Sequence, residues 1–398
     1  MKSEKRKLPV GWQSVEFQKC IINKSIGKSK IHASTYLKDG KYPIIDQGAN
    51  LIAGYTNDES LVYKHEDPVI VFGDHTRIFK YIDFNFAIGA DGTKIIHPNL
   101  SVVNPPYFYF VLKNADFPDD GYSRHYKYLK FLKTPLPPTL DDQIRIAGEL
   151  ERKMAEIEKM RQAALSQKEA IAAMQGAILR DVFPYKAGDK LPEGWRWEPL
   201  LDICSVNPRR RKDFFREPNA ETSFVPMESV DELTGSITKK ITRTYSEISK
   251  GYTFFEEGDV LFAKITPCMQ NGKSAIAEDM IDGIGFGSTE FHVLRPKIGV
   301  IKEWLYYFVR TSEFRKRAEG HFEGSAGQQR VPVDFIENAL ISLPPTLDDQ
   351  ITIANELERK MAELEKMRQA ADNQLGAIEA LPGAILRMAF DFEEEEAS

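Results

Sequence analysis

Cysteine is scarce in this chain of 398 residues: there are three, and none stands in a CxxC pair. Cys20, Cys204 and Cys268 are expected to be small buried apolar residues. They argue against a disulfide framework or a zinc site and for a reducing, cytoplasmic compartment. Long apolar runs are missing too. No stretch of eighteen apolar residues occurs, which excludes a spanning helix. The opening MKSEKRK is basic but lacks the apolar segment that a secretion signal needs. GxxxxGK[ST], HExxH and GxSxG are all absent, and the seven histidines are scattered. Nothing in these patterns is equipped to make or break bonds, so no catalytic residues and no metal ligands are expected.

What is present is a long internal repeat. Leu136 to Phe183 opens with LPPTLDDQI and runs through ELERKMAE and EKMRQAA to GAILR, and Leu343 to Phe390 repeats it 207 positions later. Roughly three positions in four are identical, with no insertion between the copies. A second pair of phrases, LPVGW from Leu8 and LPEGW from Leu191, marks where each half begins. These lie 183 apart, so the segments between opening phrase and repeat differ in length while the repeat does not. The chain divides accordingly into 1–135, a first module; 136–183, a helical region; 184–342, a second module after a polar linker at 184–190; 343–390, a second helical region; and an acidic tail at 391–398.

Each repeat carries a heptad stripe. Leu150, Ile157, Ala164, Ile171 and Ile178 fall seven apart, as do Leu357, Leu364, Ala371, Ile378 and Ile385. Met154, Met160 and Met174, and Met361, Met367 and Leu381 in the second copy, are expected to widen the stripe. About five heptads mark a helix that seeks a long partner, and the two matched copies offer each other the simplest one. Thr139 with Asp142 starts the first helix, and Pro184 should end it. Pro382 stands where the first copy has Gln175, which predicts a kink or break there.

The modules read as mixed strand and loop. YPIID, PVIVF and KIIHP are short β-rich runs, and Asn104 with Pro105 opens a short helix. EDPVIVF aligns with EGDVLF, GADGTKIIHP with GSTEFHVLRP, and PPYFYFVLKN with KEWLYYFVRT. The halves are diverged copies of one mixed α/β (α+β) module, each followed by a long helix. Net charge is −6, yet residues 1–135 hold 19 basic against 14 acidic side chains, and residues 343–398 hold 5 against 13. Much of that excess sits in Glu393 to Glu396. Local patches decide phosphate binding, not the total.

Two phrases invite an enzymatic reading. Asn104-Pro105-Pro106-Tyr107 matches the pocket with which amino-group DNA methyltransferases hold a flipped adenine, and this self-contained adenine methyltransferase is the alternative function. The aligned phrase in the second half is Ile301-Lys302-Glu303-Trp304, so the shared feature is a helix start. GIGFG at 283–287 leads into strand-like residues, not a helix, and so forms no phosphate turn.

The polar and basic loops point to nucleic acid. Lys264, Thr266, Gln270, Asn271 and Lys273 follow a buried strand. Ser288 and Thr289 lie in GFGSTEF, and Gln328, Gln329 and Arg330 end SAGQQR. Gln47 and Asn50, His75, Arg77 and Lys80 in GDHTRIFK, Lys94, and Arg124, Tyr126 and Lys127 in Tyr122 to Tyr128 are the first module's counterparts. Arg209, Arg210 and Arg211 form a basic run suited to phosphates. Gln and Asn can pair with adenine and Arg with guanine, while Ser, Thr and Lys hold the backbone.

With LPxGW opening each half, LPPTLDDQI before each long helix and the loop phrases AKITPCMQNGK, GFGSTEF and SAGQQRVP, the chain resembles the specificity subunit of prokaryotic Type I restriction–modification enzymes. The resemblance implies two target recognition domains, each reading one half of a split, asymmetric DNA site, and conserved helices that pack as an antiparallel coiled coil. It implies no catalytic site and no cofactor in this chain. Two modification subunits that bind S-adenosylmethionine and methylate adenine would dock on it, and restriction subunits would join them. A helix of about 43 residues spans roughly 65 Å, a ceiling on the separation of the half-sites.

Overall fold

The computed structural model of the chain describes residues 6–24, 30–118, 123–183, 189–325 and 328–392. Tyr122, most of the 184–190 linker with the expected helix stop Pro184, and the acidic run Glu393 to Glu396 lie outside the described residues. The chain forms two compact units, Met1–Leu165 with Asn373–Ser398, and Ser166–Asp372. Each unit thus contains one module and parts of both repeats, whereas the sequence boundaries fall at the repeat starts.

In the first unit the strands are β1 (Gln13–Glu16), β2 (Ile21–Ile22), β3 (Tyr42–Ile45), β4 (Gly54–Thr56), β5 (Val62–Tyr63), β6 (Val69–Gly73), β7 (Phe79–Ile82), β8 (Phe86–Ile88), β9 (Thr93–Pro98) and β10 (Lys133–Leu136). The helices are α1 (Pro105–Lys113), α2 (Tyr126–Leu129) and α3 (Leu140–Val182), the last running on into the second unit. The β-rich phrases read from the sequence are β3, β6 and β9. They lie in two four-stranded sheets, ordered β2-β9-β6-β7 and β4-β3-β8-β5, and β1 pairs with β10. The continuous apolar run of β6 is buried at every residue, as a strand inside a sheet covered on both faces requires.

The second unit repeats this plan. Its strands are β11 (Arg196–Pro199), β12 (Cys204–Val206), β13 (Glu221–Val225), β14 (Ile241–Thr244), β15 (Thr253–Glu256), β16 (Val260–Ala263), β17 (Ser274–Ile276), β18 (Ile284–Gly287), β19 (Phe291–Pro296) and β20 (Leu340–Leu343). Its helices are α4 (Leu200–Ile203), α5 (Tyr245–Ile248), α6 (Lys302–Arg310), α7 (Ser312–Glu319), α8 (Val333–Asn338) and the first part of α9 (Leu347–Phe390). The sheets are β12-β19-β16-β17 and β14-β13-β18-β15, with β11 on β20. Strand for strand this is the order of the first unit, down to a parallel pair, β3 with β8 and β13 with β18, in an otherwise antiparallel sheet. Ile284 to Gly287 of GIGFG form strand β18, and the residues that follow lead into strand β19 and not into a helix.

The paired phrases now have a physical reason. LPVGW and LPEGW each make a turn in which the Trp12 or Trp195 N–H donates to the Pro9 or Pro192 carbonyl, at 3.0 and 3.1 Å. Gly11 and Gly194 sit at φ +85° and +80°, against the rings of Pro138 and Pro345. The turn feeds β1 or β11, whose partner strand ends at Leu136 or Leu343. Thr139 and Thr346 then cap α3 and α9. Each hydroxyl donates to the Asp142 or Asp349 carboxylate at 2.7 Å and accepts that residue's N–H at 3.1 Å.

Within each unit the two long helices run antiparallel. In the first, Ile157 and Ala164 pack on Ile378, and Leu150 with Leu386. In the second, Ile171 packs on Leu364 and Ala371, and Leu179 with Leu357. Met154, Met361 and Ile178 are half-buried at the edges of these clusters. Arg161 with Glu379 at 3.7 Å, and Lys168 with Asp372 at 2.6 Å, bridge the helices inside their own units. The stripe drifts at its end: Leu179 and Leu386 are 2% and 3% exposed, while the heptad residues Ile178 and Ile385 are only part-buried. A 3.6-residue turn drifts about 20° per heptad on a seven-residue repeat, so over the four heptads from Leu150 to Ile178 the drift approaches the roughly 100° between neighbouring residues and the buried position moves by one.

Two expectations are corrected. Met160, Met174 and Met367 do not widen the apolar stripe, because all three are exposed. Pro382 does not break the second helix, since α9 runs to Phe390 with Pro382 inside it. Packing of Ile385, Leu386 and Phe390 into the first unit's core holds the last turns in place despite the lost hydrogen bond. Cys20 and Cys204 are buried as expected, and burial pushes the Cys204 thiol up to about 12. Cys268 is only half-buried. No helix among the described residues is long and apolar enough to cross a membrane.

Candidate nucleic-acid interface

In the first unit four loops converge: the one after β3, the β6–β7 hairpin, the β8–β9 turn and the segment leading into α2. The Gln47 side-chain carbonyl accepts the His75 N–H at 3.2 Å, and the Gln47 backbone carbonyl accepts the Thr76 hydroxyl at 2.6 Å. His75 Nδ1 lies 3.1 Å from the Ser123 carbonyl. Asp74 receives the Tyr126 N–H at 2.7 Å and donates its own N–H to Gly92 at 2.8 Å. Gly92 is required here: at φ +87° a Cβ would lie 2.6 Å from Gln47 Oε1 and 2.8 Å from the His75 ring.

This cluster carries cations. Lys94 Nζ stands 5.8 Å above the Tyr126 ring, and Lys127 Nζ stands 4.7 Å from that of Tyr128. Loss of solvent first, and the Lys94 charge next, hold the Lys30 ammonium below its ordinary value, with Asp91, Asp74 and Arg124 also within reach. Lys30, Lys94 and Arg124 thus share one field, a grouping the sequence did not reveal because they lie far apart in the chain. Arg77, at φ 63°, occupies the exposed β6–β7 turn, and Asn50 is exposed in the loop after β3.

Lys80 is a correction. It is 5% exposed, and its ammonium donates to the backbone carbonyls of Asp46 at 2.8 Å and Asn50 at 2.5 Å. A buried ammonium needs such partners, so Lys80 shapes the loop that carries Gln47 and Asn50 and is closed to a phosphate.

In the second unit the β16–β17 hairpin, the β18–β19 turn and the loop before α8 meet. The Thr266 N–H donates to Gln329 at 3.0 Å, and the Lys264 N–H to Glu290 at 2.9 Å. The Gln329 N–H returns to the Thr266 hydroxyl at 3.3 Å, and the Ser288 hydroxyl accepts the Glu290 N–H at 3.2 Å. Gln270, Thr289, Gln328, Arg209 and Arg211 are exposed around this junction or in the loops that leave it. Below it, the His292 Nε2–H donates to the Val331 carbonyl, 2.8 Å away, and burial lowers its pKa to about 4. Asn207, at φ 50°, bonds His292 and accepts the Val293 N–H, which fixes the start of the Arg209–Arg211 run.

Several named side chains are occupied internally. Arg330 is paired within the fold: its guanidinium grips Glu290 at 2.9 and 2.8 Å, the bidentate geometry that guanine would need. Asn271 donates to Glu232 at 3.0 Å, and Lys273 to the Met227 carbonyl at 3.3 Å. Arg210 bonds the Tyr245 hydroxyl and lies over the Phe214 and Tyr245 rings. The sequence also missed Arg310. It is 6% exposed, and its donors satisfy carbonyls of Glu232 and Leu233 on one side and of Gly272 and Ser274 on the other, so it braces the hairpin bearing Gln270.

The Asn104–Tyr107 phrase is a cap, not a pocket. The Asn104 side chain accepts the Tyr107 N–H at 3.1 Å, and the fully buried Tyr107 donates its hydroxyl to Pro135 at 2.6 Å. In the second unit Trp304 Nε1 donates to Ser342 at 3.0 Å. The methyltransferase reading is not supported.

The chain is 36% identical over 209 residues to the Type I restriction enzyme EcoAI specificity subunit of Escherichia coli, and 32% identical over 208 residues to the EcoEI specificity subunit. Its sequence relatives are Type I restriction enzyme specificity subunits. Each match covers 52% of this chain but 35% and 34% of the relative, so the chain spans about a third of the length of the curated relatives it matches. The fold is shared over nearly the whole chain. A chain from a structure of complex assembly and conformational transition in the type I R-M system superposes with a TM-score of 0.72 at 18% identity, covering 96% of this chain and 98% of that one. The HsdS subunit of Thermoanaerobacter tengcongensis gives 0.54 at 18% identity, covering 98% and 99%. No protein-family model matches the sequence.

Proposed function

We propose that this chain is a non-catalytic DNA-recognition subunit that reads a bipartite, asymmetric target, one half through each unit. The observation that carries the reading is a contrast. Two modules share one strand order and stand on nearly identical helices, while side chains at equivalent places differ, Gln47 after β3 against Met227 after β13 and Lys94 in β9 against His292 in β19. Shared scaffolds with unlike loops suit two readers of unlike sequences, and duplicated readers match split sites as two-fold proteins match palindromes. The curated relatives, named as specificity subunits, support the same reading.

In this role the chain directs two adenine-methylating modification subunits, which supply S-adenosylmethionine, and restriction subunits join that core. It binds no cofactor itself and works in the prokaryotic cytoplasm. Exposed Arg77, Arg124, Arg209 and Arg211 supply phosphate contacts, so binding falls with salt in proportion to the phosphates neutralised. A footprint of the chain assembled with modification subunits tests the proposal. Two protected half-sites separated by an unread spacer are expected; one continuous site, or none, overturns it.

A further inference from the structure

The second unit contains a cavity of about 730 Å³ that none of the preceding roles uses. It opens where the long loop between β13 and β14 reaches the helices, held there by the Gln175 amide donating to the Leu233 carbonyl at 3.3 Å. Met361, Ile171, Ile237 and Ile276 give it an apolar lining, and Tyr306 and Tyr307 lie side by side on one wall. The Tyr306 hydroxyl is satisfied by the Thr234 carbonyl at 3.1 Å. Tyr307 is 7% exposed, yet among the described residues its hydroxyl has no hydrogen-bond partner. The ring is buried while the hydroxyl stays open to the cavity, where a ligand atom can reach it.

The charges around it select the ligand. Of the carboxylates that line the cavity, Asp279 is held by Lys240, Asp372 by Lys168 and Glu365 by Arg368, at 2.6 to 2.8 Å. Glu278 is held by Lys302 at 2.6 Å, which leaves Glu303 a loose contact with the same lysine at 3.8 Å. Glu358 makes no ion pair among the described residues, and both Glu358 and Glu303 act on the Tyr307 hydroxyl through their charge. The lining cation Arg310 has its donors committed to four carbonyls. We propose that this cavity binds a small organic cation, its ammonium between Glu303, Glu358 and the Tyr307 hydroxyl and its apolar body against Met361 and Ile276.

The first unit supplies an internal comparison. Aligning α1 with α6 puts Pro106 opposite Glu303 and Phe110 opposite Tyr307. The carboxylate and the hydroxyl are both replaced there, although Glu151 matches Glu358 in the repeat. The features that would hold a cation therefore belong to the second unit alone.

Calorimetry on the full chain with 2-phenylethylamine, and with 2-phenylethanol as its neutral counterpart, tests this. The amine is expected to bind at least about tenfold more tightly than the alcohol, a preference of about 1.4 kcal/mol. Glu303→Gln with Glu358→Gln should remove that preference, and Tyr307→Phe, which copies the first unit, should weaken amine binding severalfold. All three substitutions replace a side chain by one of nearly equal size, and an unchanged unfolding midpoint confirms an intact fold. Equal binding of amine and alcohol, no amine binding, or a preference that survives the double substitution overturns the proposal. None of these outcomes bears on DNA recognition, because no residue involved belongs to the recognition loops.

Discussion

The side-chain carbonyl of Gln143 accepts the backbone N–H of Asn104 at 2.7 Å, while its amide donates to the Val102 carbonyl at 3.1 Å. In the other unit, 207 residues on, Gln350 does the same for Ile301 at 3.2 Å and Gly299 at 3.0 Å. Both glutamines are 2% exposed. Each fastens the start of a module's short helix to the first turn of a long one, so the DDQ of LPPTLDDQI is a joint as much as a helix start. Gln143→Ala or Gln350→Ala strands a buried donor and acceptor and should cost about 1–3 kcal/mol each. Chemical denaturation checks this, and a loss below about 0.5 kcal/mol would show that the joint is not structural.

The cap at Asn104 gives a second test. Asn104→Ala is expected to lower stability by about 1 kcal/mol, the usual cost of a lost cap. The assembled complex should still methylate adenine at an unchanged rate under saturating conditions. Loss of methylation with stability intact would restore the methyltransferase reading.

These two examples show what the sequence could and could not convey. The repeat, the heptads, the short helix at Asn104 and the strands β3, β6 and β9 were legible because each is a local pattern. Internal partners are not local. Lys80 finds Asp46 and Asn50, Arg330 finds Glu290, and Arg310 finds Leu233 and Gly272, each across thirty residues or more. Without the fold, a basic residue committed to a carbonyl reads the same as one offered to DNA. The exposed methionines have another cause: a seven-residue spacing says which face is buried but not how wide that face is.

Stability should fall in mild acid through His292. Its pKa is held at about 4 in the fold against 6.5 when unfolded, so the unfolded chain takes up the proton first. Stability is therefore full above pH 7 and lost as pH falls from about 6.5 toward 4, by up to about 1.4 kcal/mol per pH unit. His97 is lowered in the same sense, and Glu290, lowered by Arg330, acts only below its ordinary 4.5. The His292 share is the difference between wild type and His292→Gln in urea midpoints at pH 7.5, 6.0 and 5.0. Parallel curves would contradict it.

Arg330 and Glu290 supply a prediction about recognition. With the fork closed by Glu290, Arg330→Ala should loosen the junction of Thr266 and Gln329 without removing a direct guanine contact. Arg330→Ala and Glu290→Ala should then weaken binding to a similar degree, and the double substitution should add little to either. Titration of DNA onto the assembled complex measures this. A large loss for Arg330→Ala beside a gain for Glu290→Ala would place the arginine on DNA instead.

Genome-wide mapping of N6-methyladenine, in cells with and without this chain, tests the central claim most directly. One motif should lose methylation when the chain is absent, and it should have two unlike specific halves separated by an unread spacer. A methylation pattern unchanged by the loss of the chain, or a lost motif that is continuous, would contradict it.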